Sequence, residues 1–208
     1  MRVEKNLAPA AADAAPEITL ERVNVAPAQT WNRLRTNDIT LTVPARGRAG
    51  DVYFSLPRLF EGVECGMGPA VTDWVESQAK DARYVEVPRG TRREEPIVVA
   101  LGADEVAGTG VLVREGAEVT IVVAAGGEKD GEAGTSASLL RVIAEAGARV
   151  HLHEYVRVGS DQQHLESVGI SAARDARVDV HQYLLGGGTV ALGLACDLAG
   201  DRARIDLG

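Results

Sequence analysis

The chain is poor in the bulky residues that fill most cores. Aromatic residues make up 4% of its 208 residues, so the interior must be built from Val, Ile, Leu and Ala. Cysteine is nearly absent. Cys65 and Cys196 are the only two, too few for the disulfide framework of a small secreted domain, and a reducing, cytoplasmic setting is expected. No apolar run approaches the roughly 18 residues that span a bilayer. The N-terminal MRVEKNLAPAAADAAPE lacks the leucine-rich core of a signal peptide. Net positive charge is missing as well, the formal charge being −8. That argues against a nucleic-acid binder relying on phosphate neutralisation and against docking on an anionic membrane.

What the chain does have is a long series of short alternating runs. With 45% hydrophobic and 25% charged residues, a packed core is expected rather than disorder. Residues 1–17 are Ala- and Pro-rich and read as a tail. Ile18, Leu20 and Val23 suggest a short strand, Trp31 and Leu34 a helical turn, and ITLTVP (39–44) a strand. Residues 69–83 read as the one helix: Pro69 suits a first turn, and Val71, Trp74, Val75 and Gln78 recur at helical spacing. From Tyr84 onward YVEVP, PIVVAL, GVLV, EVTIVVAA, LLRVIAEA, RVHLHEYVRV, SVGISAA, RVDVHQYLL and TVALGLACDLA follow one another, separated by turn residues. The division is a tail, lead-in segment and helix over 1–83, then a β core over 84–208.

An internal repeat selects among β architectures. GAEVTI (116–121), GARVHL (147–152), DARVDV (175–180) and RARIDL (202–207) share one frame. Their alanines, Ala117, Ala148, Ala176 and Ala203, recur at a near-constant interval. A strand, a small-residue corner and another strand, repeated this way, predict a right-handed β-helix with one coil per unit. Stacked coils place each corner over the next, where only a small side chain fits. Val119, Val150, Val178 and Ile205 should then form an interior column, one rung about 4.8 Å from the next.

VPRGTRREEPIVV (87–99), GVLVREGAEVTIVV (110–123), the repeats RVIAEAGARVHLHEYVRV and DARVDVHQYLLGGG, and TWNRLRTND (30–38) together resemble the SufB/SufD family, scaffold subunits of SUF iron–sulfur cluster assembly. The resemblance runs from about Thr30 to the C-terminus. It implies a non-catalytic cytoplasmic scaffold that pairs with a second SufB/SufD-type subunit and works with a SufC-type ATPase. It also implies that iron or a transient iron–sulfur cluster is handled in the full complex. Family members carry further coils, a CSHGAT-like motif and a C-terminal ATPase-docking helical segment. The chain stops at RIDLG before any of these, which suggests a fragment or a shortened paralogue and leaves ATPase docking without residues here. An uncovered last coil invites a homodimer through it. The competing readings are a β-helical enzyme, such as a polysaccharide-processing solenoid, and a bare oligomerisation module. The first lacks the expected aromatic platform, since both tryptophans precede the repeats.

ARVHLHEY (148–155) set over ARVDVHQY (176–183) raises a metal site. If Val150 and Leu152 point inward, His151 and His153 point outward. His151 then stacks on Asp179, His153 on His181 and Tyr155 on Tyr183, with Asp206 continuing the column. Three imidazoles and the Asp179 carboxylate could hold Fe²⁺ or Zn²⁺. The plainer reading is a solvated ladder stabilised by stacking alone. A cupin is a poor fit, because Glu154 follows His153 at once and points to the opposite face. Cys196 shares the parity of Val190, Leu192 and Leu194 and should face the core, as a structural thiol or a sulfur-transfer residue. Cys65, in FEGVECGMG, should be exposed in a Gly-rich loop, with no basic neighbour and with Glu61 and Glu64 raising its pKa. GGEKDGEAGTS (126–136) lacks the Walker spacing and reads as a loop. RGTRREEP (89–96) reads as a solvated turn with local ion pairs. No nucleophile–histidine motif and no Rossmann fingerprint is present.

Overall fold

Period-two alternation punctuated by tight corners leaves the chain one economical way to bury its aliphatic residues, which is to wind. The computed structural model describes residues 16–25, 33, 39–45, 56–79, 82–126 and 133–208. The helical turn expected at Trp31 and Leu34, most of the N-terminal tail and most of the 126–136 loop lie outside these residues. The strands are β1 (Glu17–Val23), β2 (Ile39–Pro44), β3 (Ala82–Val87), β4 (Ile97–Leu101), β5 (Val106–Val113) and β6 (Glu118–Ala125). They continue with β7 (Gly134–Ala144), β8 (Arg149–Arg157), β9 (Gln162–Ala172), β10 (Arg177–Gly186), β11 (Thr189–Asp197) and β12 (Arg204–Leu207). Strands β3 to β12 form two five-stranded parallel sheets, ordered β11-β9-β7-β5-β3 and β12-β10-β8-β6-β4. The result is a parallel β-solenoid of about 4 turns.

The repeat frame is the register frame. Val150 pairs with Val119 on one side and Val178 on the other, and Val178 pairs with Ile205. Val119, Val150 and Val178 are buried in one core with Ile97, Ile121, Leu152, Val168 and Ile170. At the corners Ala117, Ala148 and Ala176 are fully buried. Their carbonyls accept from the backbone N–H of Arg149, Arg177 and Arg204 one coil on, at 2.8, 2.9 and 2.9 Å. The residue before each alanine turns the chain with positive φ: Gly116 at 65°, Gly147 at 68°, Asp175 at 60° and Arg202 at 58°. Glycine takes that conformation freely. Arg202 is a less natural occupant, and its guanidinium is held by the carboxylate of Asp175, the corner residue one coil earlier.

A second layer covers the outer face of the odd-numbered sheet. β1 and β2 pair antiparallel. They pack with helix α1 (Pro69–Gln78) and the 63–67 loop on Ala137, Leu139, Leu165 and Ala191. Trp74 Nε1 donates to the Pro44 carbonyl at 3.1 Å, tying α1 to β2. Arg141 on β7 meets Glu76 of α1 at 2.9 Å. The helix expected over 69–83 stops at Gln78. Ala79 is extended (ψ 126°) and the chain enters β3 at Ala82, because pairing with β5 overrides the local helical preference of Ala, Lys and Arg there. The 89–96 ion pairs are not local either. Arg89 meets Glu115 and Arg92 meets Glu118, both on the next coil. No described helix is long and apolar enough to cross a membrane.

Candidate functional site

The outer face of the even-numbered sheet carries the histidine ladder. Register pairs His151 with Asp179, His153 with His181, Tyr155 with Tyr183 and Asp179 with Asp206, the stacking read from the sequence. The Tyr155 and Tyr183 rings lie parallel with centroids 4.8 Å apart, and those of His153 and His181 at 5.2 Å. Asp179 lies 3.1 Å from His151 Nδ1. Burial, reinforced by the neighbouring His181 and His151, holds the His153 imidazole below its ordinary pKa. Face-to-face stacking turns ring planes, not nitrogen lone pairs, towards each other. Among the described residues no three His, Cys, Asp or Glu side chains are grouped to hold a metal ion.

A second polar group lies inside the solenoid. His164 and Glu166 share the parity of Val168 and Ile170 on β9, so they point into the core, as does Glu154 on β8; all three are fully buried. Ser136 Oγ lies 2.9 Å from His164 Nδ1, and His164 Nε2 lies 3.3 Å from Glu166 Oε2. Gln182 Nε2 donates to Glu154 Oε2 at 2.6 Å. Burial pushes the Glu154 carboxyl up to about 8, Glu166 adds to the rise, and the Gln182 hydrogen bond opposes it. The second oxygens of both glutamates, and Ser138 Oγ, have no hydrogen-bond partner. The order hydroxyl, imidazole, carboxylate is that of a hydrolytic relay. Here Ser136, His164 and Glu166 are all buried, and His164 lies between Ser136 and Val190 in the sheet register. Glu154 was legible from parity. His164 and Glu166 were missed, although extending the SVGISAA alternation backwards places both inward.

Both cysteine expectations are overturned. Cys196 is exposed. Its parity was read correctly, since it pairs with the buried Ile170. It lies on β11, however, the last strand of its sheet, and no described strand covers its other side. Partial burial still pushes its thiol up to about 11. Cys65 is buried instead of exposed. Its loop lies flat on the odd-numbered sheet, with Gly66 N donating to the Val168 carbonyl at 3.0 Å and Met67 N to Ser167 Oγ at 3.2 Å. Burial is the main cause of its raised pKa. Arg141, a basic neighbour that the sequence did not reveal, opposes the rise, while Glu76 and Glu64 add to it.

Comparison with known proteins places this geometry. No curated protein and no solved structure matches the chain significantly. A family model does, described as the SufBD core domain of SUF system FeS cluster assembly, over residues 102–208. That stretch is just over half of the chain, and it holds β5 to β12, the repeat frame and both polar groups. The chain therefore belongs to the SufB/SufD family of the SUF iron–sulfur cluster assembly system.

Proposed function

We propose that this chain is a cytoplasmic scaffold subunit of iron–sulfur cluster assembly, acting by association rather than turnover. Its β-helical unit runs over 84–208, behind a lead-in and helix over 1–83. It pairs with a second SufB/SufD-type subunit and works with a SufC-type ATPase. The observation that carries this reading is the coincidence of the family match with the in-register solenoid.

Iron, or a transient cluster, is cargo in this scheme. The His151, His153, His181 and Asp179 column is the proposed ferrous-iron contact. With no three groups converging in the observed rotamers, its grip would be weak. Cys196 is the proposed sulfur acceptor. With its thiol at about 11 it is a poor nucleophile at neutral pH, so transfer would need a basic group from a partner. Leu184, Leu185 and Leu207 are exposed near the last coil, which supports pairing there, with another subunit or a second copy.

Affinity capture with the full-length gene product tests the reading. A SufC-type ATPase and a second β-helical subunit should co-purify, and recovery of the protein alone would count against it. Ferrous titration of His153→Gln/His181→Gln tests the ladder, and undiminished affinity would remove it.

A further inference from the structure

The outer face of the even-numbered sheet, which no other described element covers, also carries a column of arginines. Arg149 on β8, Arg177 on β10 and Arg204 on β12 are register partners on successive coils, and all three are exposed. Like charges on adjacent rungs repel, so an isolated sheet gains nothing from this arrangement. Beside them runs the column His151, Asp179 and Asp206, and the two columns line a cleft of about 280 Å³.

The acids in that cleft do not neutralise the arginines evenly. Arg204 takes Asp206 with both arms, Nε to Oδ2 at 2.7 Å and Nη2 to Oδ1 at 2.8 Å. Asp179 is engaged by His151 at 3.1 Å. Arg177 is felt through space by Asp175 and Asp206, but those carboxylates are already hydrogen-bonded to Arg202 and Arg204. Among the described residues, neither Arg149 nor Arg177 makes a side-chain hydrogen bond or ion pair of its own. Two uncommitted guanidiniums therefore sit one rung apart on a protein of net charge −8.

We propose that the Arg149–Arg177 step binds a tetrahedral oxyanion of the phosphate class. A guanidinium presents paired N–H donors that match phosphate oxygens. Two of them on strands about 4.8 Å apart can clamp one such ion from two sides and relieve their mutual repulsion. Asp179 and Asp206 border the cleft and hold the anion on the arginine side. The shared chemistry covers free phosphate and the phosphate of a larger diphosphate-bearing molecule.

Calorimetric titration of the whole chain at low salt, with inorganic phosphate and separately with pyrophosphate, tests the site. Saturable binding is expected for at least one of them. Arg149→Gln/Arg177→Gln should weaken it roughly tenfold or more. Arg89→Gln, whose guanidinium is paired with Glu115 outside the cleft, should leave it unchanged. Tighter binding of pyrophosphate assigns a diphosphate ligand, and equal or tighter binding of phosphate assigns the free ion. Arg177→Lys keeps the charge but loses the fork, and should bind several-fold more weakly even if the double variant folds poorly. Absence of saturable binding by either probe, equal loss in Arg89→Gln, or full affinity in the Arg149 and Arg177 variants would overturn the proposal.

Discussion

Glu154 is a carboxyl in a place that suits a methyl. It shares its strand face with Val150, Leu152 and Val156. Its titratable neighbour is Glu166 of β9, which in turn lies 3.3 Å from His164, and Gln182 of β10 donates to it; no buried Lys or Arg lies beside it among the described residues. Its folded pKa of about 8 lies above the ordinary 4.5, so the folded state binds the proton more tightly than the unfolded chain does. The contribution of this group to stability is thus greatest below about 4.5, falls as pH rises towards about 8, and levels off above that. The slope is on the order of 1.4 kcal/mol per pH unit across that window. Glu154→Gln keeps an oxygen for Gln182 and removes the titration. Its melting temperature should match the wild type near pH 4.5 and exceed it by several degrees at pH 8.5. Parallel curves for the two proteins would sink this account.

Between elements, the 63–67 loop is fitted closely against the odd-numbered sheet. A Cβ on Gly169 of β9 would lie 2.4 Å from the Glu64 carbonyl oxygen, and one on Gly193 of β11 2.6 Å from the Gly66 carbonyl carbon. These are backbone contacts, so neither side can yield by a rotamer change. Gly169→Ala should cost about 1–3 kcal/mol and lift the loop. Cys65, which this loop buries against the sheet, would then become reactive. In a Cys196→Ser background, which removes the exposed thiol, labelling of Cys65 under native conditions should rise sharply with Gly169→Ala and stay slow without it. Unchanged labelling would mean that the loop does not depend on this approach. The same packing explains why Cys65 was misread: a Gly-rich stretch looks mobile in sequence, but here its glycines permit close seating.

Across the whole molecule, stability should be graded along the solenoid axis. Each coil touches only its neighbours, and inner coils bury both their edges while β11 and β12 bury one. Hydrogen exchange should be slowest at β7, β8 and β9 and fastest at β12, whose Ile205 and Leu207 are incompletely covered. Uniform protection from β4 to β12 would instead indicate one all-or-none unit. The N-terminal layer adds a second asymmetry, covering the odd-numbered sheet and leaving the even-numbered face to the histidine, tyrosine and arginine columns.

The sequence by itself determined the winding. Alternation set which side chains face inward, the alanine corners set where each coil turns, and the repeat interval set which residues become vertical neighbours. All three are local rules applied repeatedly, so the repeat alone aligns Val119, Val150, Val178 and Ile205 as they pair in the sheet. Coverage was decided only by the tertiary structure. Parity places Cys196 inward but cannot say whether another strand lies over it, and a Gly-rich loop does not announce the sheet on which Cys65 is buried. Likewise, facing strands from different coils had to meet before Glu154, His164 and Glu166 became one buried group. Burial depends on what lies on both sides of a residue: for those three and Cys65 one of those sides comes from a distant part of the chain, while Cys196 has a described strand on one side only.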